Sequence, residues 1–378
     1  MKQILGSKLI RFVVMPIIGL ALLVLLGGGW YFSGVLEEDG LRVDNALPDL
    51  ALEVVAREGD SITLKARDGF DVEIPSTQGF WGISDGSGYG QVSDILSESD
   101  GSVTRDYAGD FQAGDYVFLD RTAFPHDPLS AYGLEYEEVT IPGPLGDFGA
   151  WYIPGDSSVW AILVHGRTSN RDTSIKILDD LASIRTPTLT IDYRNDEGAP
   201  SSESGFYDFG VTEWEDVEAA VKYALIHGAE KVVLIGYSMG GGVVVNYQLS
   251  SEFADRTVGI ILDSPMLDFG QTVDHGAAER GVPTPITAIA KFFTNIRYGV
   301  DWNALDFISR SEELDVPILL IHGDADDTVP HETSVQFAAA SPDIVEFHSF
   351  EDAGHVASWN MYTKEYENLV RVFVVRVS

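Results

Sequence analysis

The segment Lys231-Val-Val-Leu-Ile-Gly-Tyr-Ser-Met-Gly-Gly-Gly242 constrains the fold more than any other part of the chain. An apolar run suited to a buried strand leads into Gly236-x-Ser238-x-Gly240, and small residues then open a helix. A serine on a sharp strand-to-helix turn needs small residues two positions to either side, because a side chain there would strike the neighbouring strand or helix. Such a turn lifts the serine oxygen above the edge of a sheet. The helix behind it directs its positive dipole end toward any negative charge that develops there. Ser238 is therefore the candidate nucleophile, with the Met239 N–H as one candidate donor to an oxyanion.

A serine hydroxyl is a weak nucleophile at neutral pH, so a base must take its proton and a carboxylate must orient that base. In a sheet of this kind the chain order is serine, acid, histidine. Ile318-Leu-Leu-Ile-His-Gly-Asp-Ala-Asp-Asp-Thr-Val-Pro330 puts an acidic loop after an apolar strand, and Glu351-Asp-Ala-Gly-His355 puts a histidine after the last strand. Of the histidines that follow the acidic loop, His331 opens a helix pattern and His348 lies within a strand pattern. His355 is left as the candidate base. Spacing alone leaves Asp324, Asp326 and Asp327 open as the acid. The cluster lacks the glycine and distal glutamate of a calcium loop, so no metal is expected there. Val159-Trp-Ala-Ile-Leu-Val-His-Gly-Arg167 reads as an early strand and its loop, and makes the Arg167 N–H the second candidate oxyanion donor.

From Glu135 onward, apolar strands alternate with amphipathic helices, the pattern of a mainly parallel sheet covered on both faces. Strands are expected at Tyr136 to Ile141, Gly149 to Ile153, Val159 to Val164, Thr188 to Ile191, Lys231 to Ile235, Val258 to Leu262, Ile318 to Ile321 and Val345 to Phe350. The first two are expected to form an antiparallel edge. Thr212 and Glu215 suggest a capping box before the apolar face of Val217, Ala220, Val221 and Ala224, with Gly228 as the stop. Met266 to about Leu314 interrupts the alternation and is expected to be a lid.

The N-terminal third differs. Lys2, Lys8 and Arg11 precede an uncharged run from Phe12 to Leu36, followed by Glu37, Glu38 and Asp39. That run exceeds the ~20 residues a membrane helix needs, and Trp30, Tyr31 and Phe32 stand where an interfacial aromatic belt would. No Ala-x-Ala site follows, as a cleaved signal would require, so an uncleaved anchor is expected. The charge asymmetry places the N-terminus in the cytoplasm and the rest outside. From Leu41 to about Tyr132, short β-type runs such as Ser61 to Lys65 and Tyr116 to Leu119 alternate with polar clusters. Asp85 to Gly90 and Ser97 to Ser102 are read as loops. The expected division is thus an anchor over 1–40, a β-rich region over 41–132 and a catalytic domain over 133–378, with the lid at about 266–314.

Composition sets outer limits. The absence of cysteine rules out thiol nucleophiles, thiolate metal sites and disulfides. A formal net charge of −35 makes nucleic acid and anionic lipid surfaces poor partners.

The motifs above, with His165-Gly-Arg, Asp192-Tyr-Arg-Asn-Asp-Glu-Gly-Ala-Pro200, Asp263-Ser-Pro265 and Gly354-His355, resemble those of the α/β-hydrolase superfamily over roughly Glu135 to Ser378. Within it the chain is similar to a bacterial group of anchored esterase-like or peptidase-like hydrolases. The resemblance implies the α/β-hydrolase fold, hydrolysis without metal or organic cofactor, and a small acyl ester or peptide substrate. The family pattern His-Gly-x-x-Asp-x-x-Val-Pro assigns the acid to Asp326. Where many relatives have Asp-Tyr-Arg-Gly, this chain has Asn195. A serine nucleophile argues against dehalogenase and epoxide hydrolase chemistry, and a peptidase would need a cation or proline pocket for which Asp268 or Asp274 could serve. A binding protein without turnover is the remaining alternative.

Overall fold

The computed structural model describes residues 15–70 and 78–378. The basic residues Lys2, Lys8 and Arg11 and the start of the apolar run lie outside them. Helix α1, Met15–Leu36, is apolar along its described length and continues through one wider turn, Glu37–Leu41. Most of its side chains are exposed, which suits a segment with a lipid partner rather than a core helix. Its end is different: Leu41 is buried in the main core, and its carbonyl accepts the Tyr207 N–H at 2.9 Å.

Among the described residues, six antiparallel strands close a barrel in the order β1-β2-β5-β4-β3-β6. They are β1 (Leu52–Glu58), β2 (Ser61–Ala66), β3 (Trp81–Ser84), β4 (Tyr89–Ser99), β5 (Ser102–Gly109) and β6 (Tyr116–Asp120). Alternation fills the interior: Leu52 and Val54, Ile62 and Leu64, Trp81 and Ile83 point inward. Asp85 to Gly88 turns the chain between β3 and β4, with Asp85 Oδ1 accepting the N–H groups of Ser87 and Gly88, while Tyr89 and Gly90, read as part of a loop, already pair with β3. Ser97 to Ser102 is not a loop. Ser97 to Ser99 belong to β4, and Asp100 and Gly101, both at positive φ, make a two-residue turn into β5. That Asp-Gly geometry matches the twist of the flanking strands, which is why polar residues here support a hairpin.

The second unit is an eight-stranded sheet in the order β14-β13-β12-β11-β9-β10-β8-β7. Strands β9 (Val159–Val164), β10 (Thr188–Ile191), β11 (Lys231–Tyr237), β12 (Thr257–Asp263), β13 (Ile318–Gly323) and β14 (Val345–Phe350) run parallel. The hairpin β7 (Glu137–Pro142) and β8 (Asp147–Ile153) forms the antiparallel edge. Successive residues of the inner strands enter different cores. Ile162 and Val164 of β9 join Val217 and Val221 of helix α2 (Trp214–Ile226) and Val243 of α3 (Met239–Ser250). Ala161 and Leu163 join Leu178, Leu181 and the C-terminal helix residues Tyr366, Val370 and Phe373. A strand buried on both faces carries no polar alternation, and the apolar runs read from the sequence have this cause.

Helix α2 does not begin with the expected capping box. Glu213 is fully buried and its carboxylate accepts the N–H groups of Asp208 at 2.7 Å and Gly210 at 2.8 Å, while Glu215 is drawn away by Arg194 at 2.9 Å. The helix therefore starts at Trp214, with Thr212 hydrogen-bonded back to Asp208. Its far end agrees with the sequence: His227 caps it and Gly228 follows at φ +113°.

Between β12 and β13 the chain forms two helices, α4 (Phe269–Glu279) and α5 (Thr284–Tyr298), in the segment expected to be a lid. Helix α5 lies along α1. Helices α6 (His331–Ala340) and α7 (Thr363–Val377) complete the unit.

Candidate active site

Strand β11 ends at Tyr237, and Ser238 takes φ +52° and ψ −119°, a strained conformation for a residue with a side chain. Surrounding contacts hold it there. Its N–H donates to the Asp263 carbonyl at the end of β12, and its carbonyl accepts from Gly241 and Met266, each at 2.9 Å. The glycines of the motif are forced by close approach. A Cβ on Gly236 would stand 2.6 Å from the Gly240 carbonyl oxygen, and one on Gly240 would stand 2.3 Å from that of Val164.

His355 reaches the serine from the loop after β14. Its Nε2 is 2.9 Å from Ser238 Oγ, and its Nδ1 is 2.7 Å from Asp326 Oδ2. An ionised carboxylate only accepts, so Nδ1 carries the proton and Nε2 is free to accept from the serine hydroxyl. Asp326 is fixed on every side: Oδ1 accepts the N–H groups of Thr328 and Val329, and Oδ2 also accepts from His322 Nε2 at 2.9 Å. Burial opposes its charge, but the hydrogen bonds from His322 and His355 outweigh burial and hold the carboxyl well below the usual carboxylate range. Asp324 and Asp327 are exposed and turned elsewhere. Asp324 accepts the Asp352 N–H at 2.7 Å and so ties the acid loop to the histidine loop, and Asp327 accepts from Thr328.

The Met239 N–H is the first of α3, where no acceptor exists within the helix. The loop after β9 presses on the serine: a Cβ on Gly166 would lie 2.9 Å from Ser238 Cβ, and Arg167 follows directly. Beneath that loop lies an arrangement the sequence did not single out. Buried His165 donates from Nδ1 to the Gly166 carbonyl and faces Asp196 Oδ2 through Nε2, both at 2.9 Å. Burial works against a charged ring, yet the Asp196 carboxylate raises the pKa of His165. Ligand atoms of His165, Asp192 and Asp196 lie within 4.8 Å of one another, as a metal site would require. Each is already engaged, since Asp196 Oδ2 also accepts the Tyr193 N–H and Asp192 pairs with Arg171 at 3.0 Å. The cluster ties the loop of Gly166 and Arg167 to the turn at Asp196.

Asn195 lies at φ +76°, and asparagine tolerates this conformation better than most other side chains do. Its side chain accepts from Ser202 N and donates to Phe206 O, so it closes the turn rather than facing Ser238. His322 and the buried pair Lys176–Asp263 were also missed. The Lys176 ammonium lies 3.5 Å from Asp263 Oδ2 and 3.3 Å from the Val356 carbonyl, next to His355. A single lysine between Ile175 and Ile177 reads as the polar face of a short helix and gives no sequence signal for its own burial.

Two cavities meet at the serine and share only Ser238 and Arg167 among their lining residues. One, of about 240 Å³, lies under helices α4 and α5. The other, of about 510 Å³, opens toward the barrel and is lined in part by Arg121, Thr122, Ser169 and His355.

Residues 161–369 match the model of the alpha/beta hydrolase family. The chain belongs to that family. The match begins past the helix α1 and the barrel. Among curated proteins, the hydrolase is 24% identical over 281 residues to the uncharacterized protein YfhR of Salmonella typhimurium, covering 67% of this chain and 86% of YfhR. It is 23% identical over 256 residues to the uncharacterized protein YqkD of Bacillus subtilis, covering 66% of this chain and 83% of YqkD. Among solved structures it resembles an esterase of Pyrococcus furiosus, with a TM-score of 0.53 and 22% identity over 65% of this chain and 92% of that one. That likeness is one of fold.

Proposed function

We propose that this hydrolase is a membrane-anchored serine hydrolase that cleaves carboxylic esters, with Ser238, His355 and Asp326 as its triad. The reading rests on one observation above all: a single imidazole spans Ser238 Oγ at 2.9 Å and Asp326 Oδ2 at 2.7 Å. In this mechanism His355 Nε2 takes the hydroxyl proton as Ser238 Oγ attacks the ester carbonyl. The tetrahedral oxyanion is met by the N–H groups of Met239 and Arg167. His355 then gives the proton to the leaving alkoxide, the C–O bond breaks and an acyl-enzyme remains. Water, deprotonated by the same nitrogen, releases the acid and restores the serine. Asp326 stays ionised throughout and offsets the transient imidazolium charge.

An ester rather than a peptide is favoured because the acids available near the lid are occupied. Asp268 caps α4 by accepting the Gln271 N–H, and Asp274 pairs with Lys291 at 2.8 Å. The anchor α1 would place the barrel and catalytic domain outside the cytoplasmic membrane, with the N-terminus inside.

The test uses the full chain in detergent, a fluorophosphonate probe and p-nitrophenyl acetate. Wild type should label at Ser238 and hydrolyse the ester, and Ser238→Ala should do neither, with turnover reduced by at least ~10³-fold. Absence of both label and turnover in folded wild type would overturn the proposal.

A further inference from the structure

The cavity of about 240 Å³ under the lid has an unusual wall. Phe32, Val35 and Leu36 of the anchor line it together with Ser238 and with Thr287 and Ala290 of α5. From this geometry we infer that the anchor is part of the substrate site and that the substrate is an acyl ester borne by the membrane, whose chain enters between the anchor and the lid. The inference rests on the serine hydrolase reading and names the substrate class for that site.

The contact between anchor and lid is built, not incidental. Gly29 brings the backbones together so closely that a Cβ there would lie 2.3 Å from Ile289 Cγ2. Trp30 packs edge-on to Phe293 at 5.4 Å, and Arg297 lies over the Trp30 ring at 4.2 Å while donating to the Trp30 carbonyl at 3.0 Å. Arg280 at the end of α4 pairs with Asp39 at 2.9 Å, and Leu41 is sunk in the core. The catalytic body is thus held at a set height on the anchor.

That height is the membrane surface. Trp30, Tyr31 and Phe32 stand near the end of the apolar helix, where an interfacial aromatic belt would. Helix α5 meets the anchor at these same residues, and its outer side leaves Phe292 60% and Ile296 62% exposed, next to exposed Trp30 and Tyr31. Large apolar side chains left bare beside an interfacial aromatic belt suit insertion among lipid headgroups. The cavity is smaller than the ~300–1,000 Å³ of sites for drug-sized ligands, which suits one acyl chain rather than two. On the other side of Ser238 the larger and more polar cavity receives the leaving group.

The experiment compares p-nitrophenyl octanoate dissolved in phosphatidylcholine vesicles with p-nitrophenyl acetate, using the full chain reconstituted in those vesicles. Each buried methylene is worth roughly fourfold, so the octanoate should exceed the acetate in kcat/KM by at least about tenfold. Val35→Trp, which fills the cavity from the anchor side, should reduce that ratio by about tenfold or more while fluorophosphonate still labels the protein. Should that variant lose the label, Thr287→Leu, which narrows the cavity from the lid side, decides by the same ratio. If wild type takes no label and cleaves neither ester, the serine hydrolase reading fails. If it cleaves acetate as well as octanoate, or its preference ignores both substitutions, only the present inference fails.

Discussion

Asp326 Oδ2 takes two imidazole N–H groups at once, from His355 and from His322, and Ser334 Oγ donates to the far nitrogen of His322 at 2.7 Å. This chain of donors keeps the carboxylate ionised although it is buried. A carboxyl whose folded pKa is depressed adds stability that is present above its unfolded pKa of ~3.9 and lost as pH falls toward the folded value. Asp326→Asn should therefore lower the thermal midpoint at pH 7, and the gap from wild type should narrow below about pH 4. The same substitution should cut kcat by ~10⁴-fold, because a neutral amide no longer selects the required tautomer of His355. His322→Phe tests the second donor. With one hydrogen bond gone, the Asp326 carboxyl is less depressed, so the acid limb of the stability curve should move to higher pH, read from thermal midpoints between pH 3 and 6. A side chain that merely fills space would lower stability equally at every pH.

At the scale of elements, helix α1 and helix α5 approach through Gly28 and Gly29, whose absent side chains make room for Ile286 and Ile289. Gly29→Leu should prise the two helices apart, seen as faster hydrogen exchange across residues 284–298, with the parallel sheet unaffected. Elements governed by burial were legible in the sequence: β9 and β10, buried throughout, begin and end at the expected residues. Elements governed by a partner distant in the chain were not. The capping box read from Thr212 and Glu215 gives way to Glu213, around which the turn at Asp208 and Gly210 wraps. The polar stretch from Ser97 to Ser102 looked like a loop because its strands face solvent near the barrel rim. The site divides in the same way. Ser238 and His355 could be singled out by motif and chain order, Asp326 among its neighbours only by the family resemblance, and the three lie within hydrogen-bond reach in the structure. Lys176 and the α1 residues of the cavity wall carry no local signature, because their contacts are with segments far away in sequence, whereas His322 stands inside the His-Gly-x-x-Asp pattern and only its bond to Asp326 had to be seen.

For the molecule as a whole, the barrel is seated on the back of the histidine loop. Asn360, five residues beyond His355 and fully buried, donates to the carbonyls of Phe80 at 2.6 Å and Arg121 at 3.0 Å, and its own carbonyl accepts the Phe80 N–H at 2.9 Å. Ala357, between the two, is packed into the barrel core. The seam leaves no slack, since a Cβ on Gly79 would stand 2.1 Å from the Asn360 carbonyl oxygen. A barrel that only decorated the surface would not share a core residue, Ala357, with the loop that carries His355. Removing the Asn360 amide takes the donor from two part-buried carbonyls, at ~0.5–1.5 kcal/mol each. Asn360→Ala should therefore lower the thermal midpoint by several degrees. It should also speed hydrogen exchange over residues 354–362 and reduce kcat, because His355 then wanders from the 2.9 Å contact with Ser238 Oγ. If the midpoint falls while exchange in that loop and kcat stay at wild-type values, the barrel stabilises the chain without positioning its base. A coupled loss of all three makes the barrel a working part of the site, joined to it through the loop rather than through substrate.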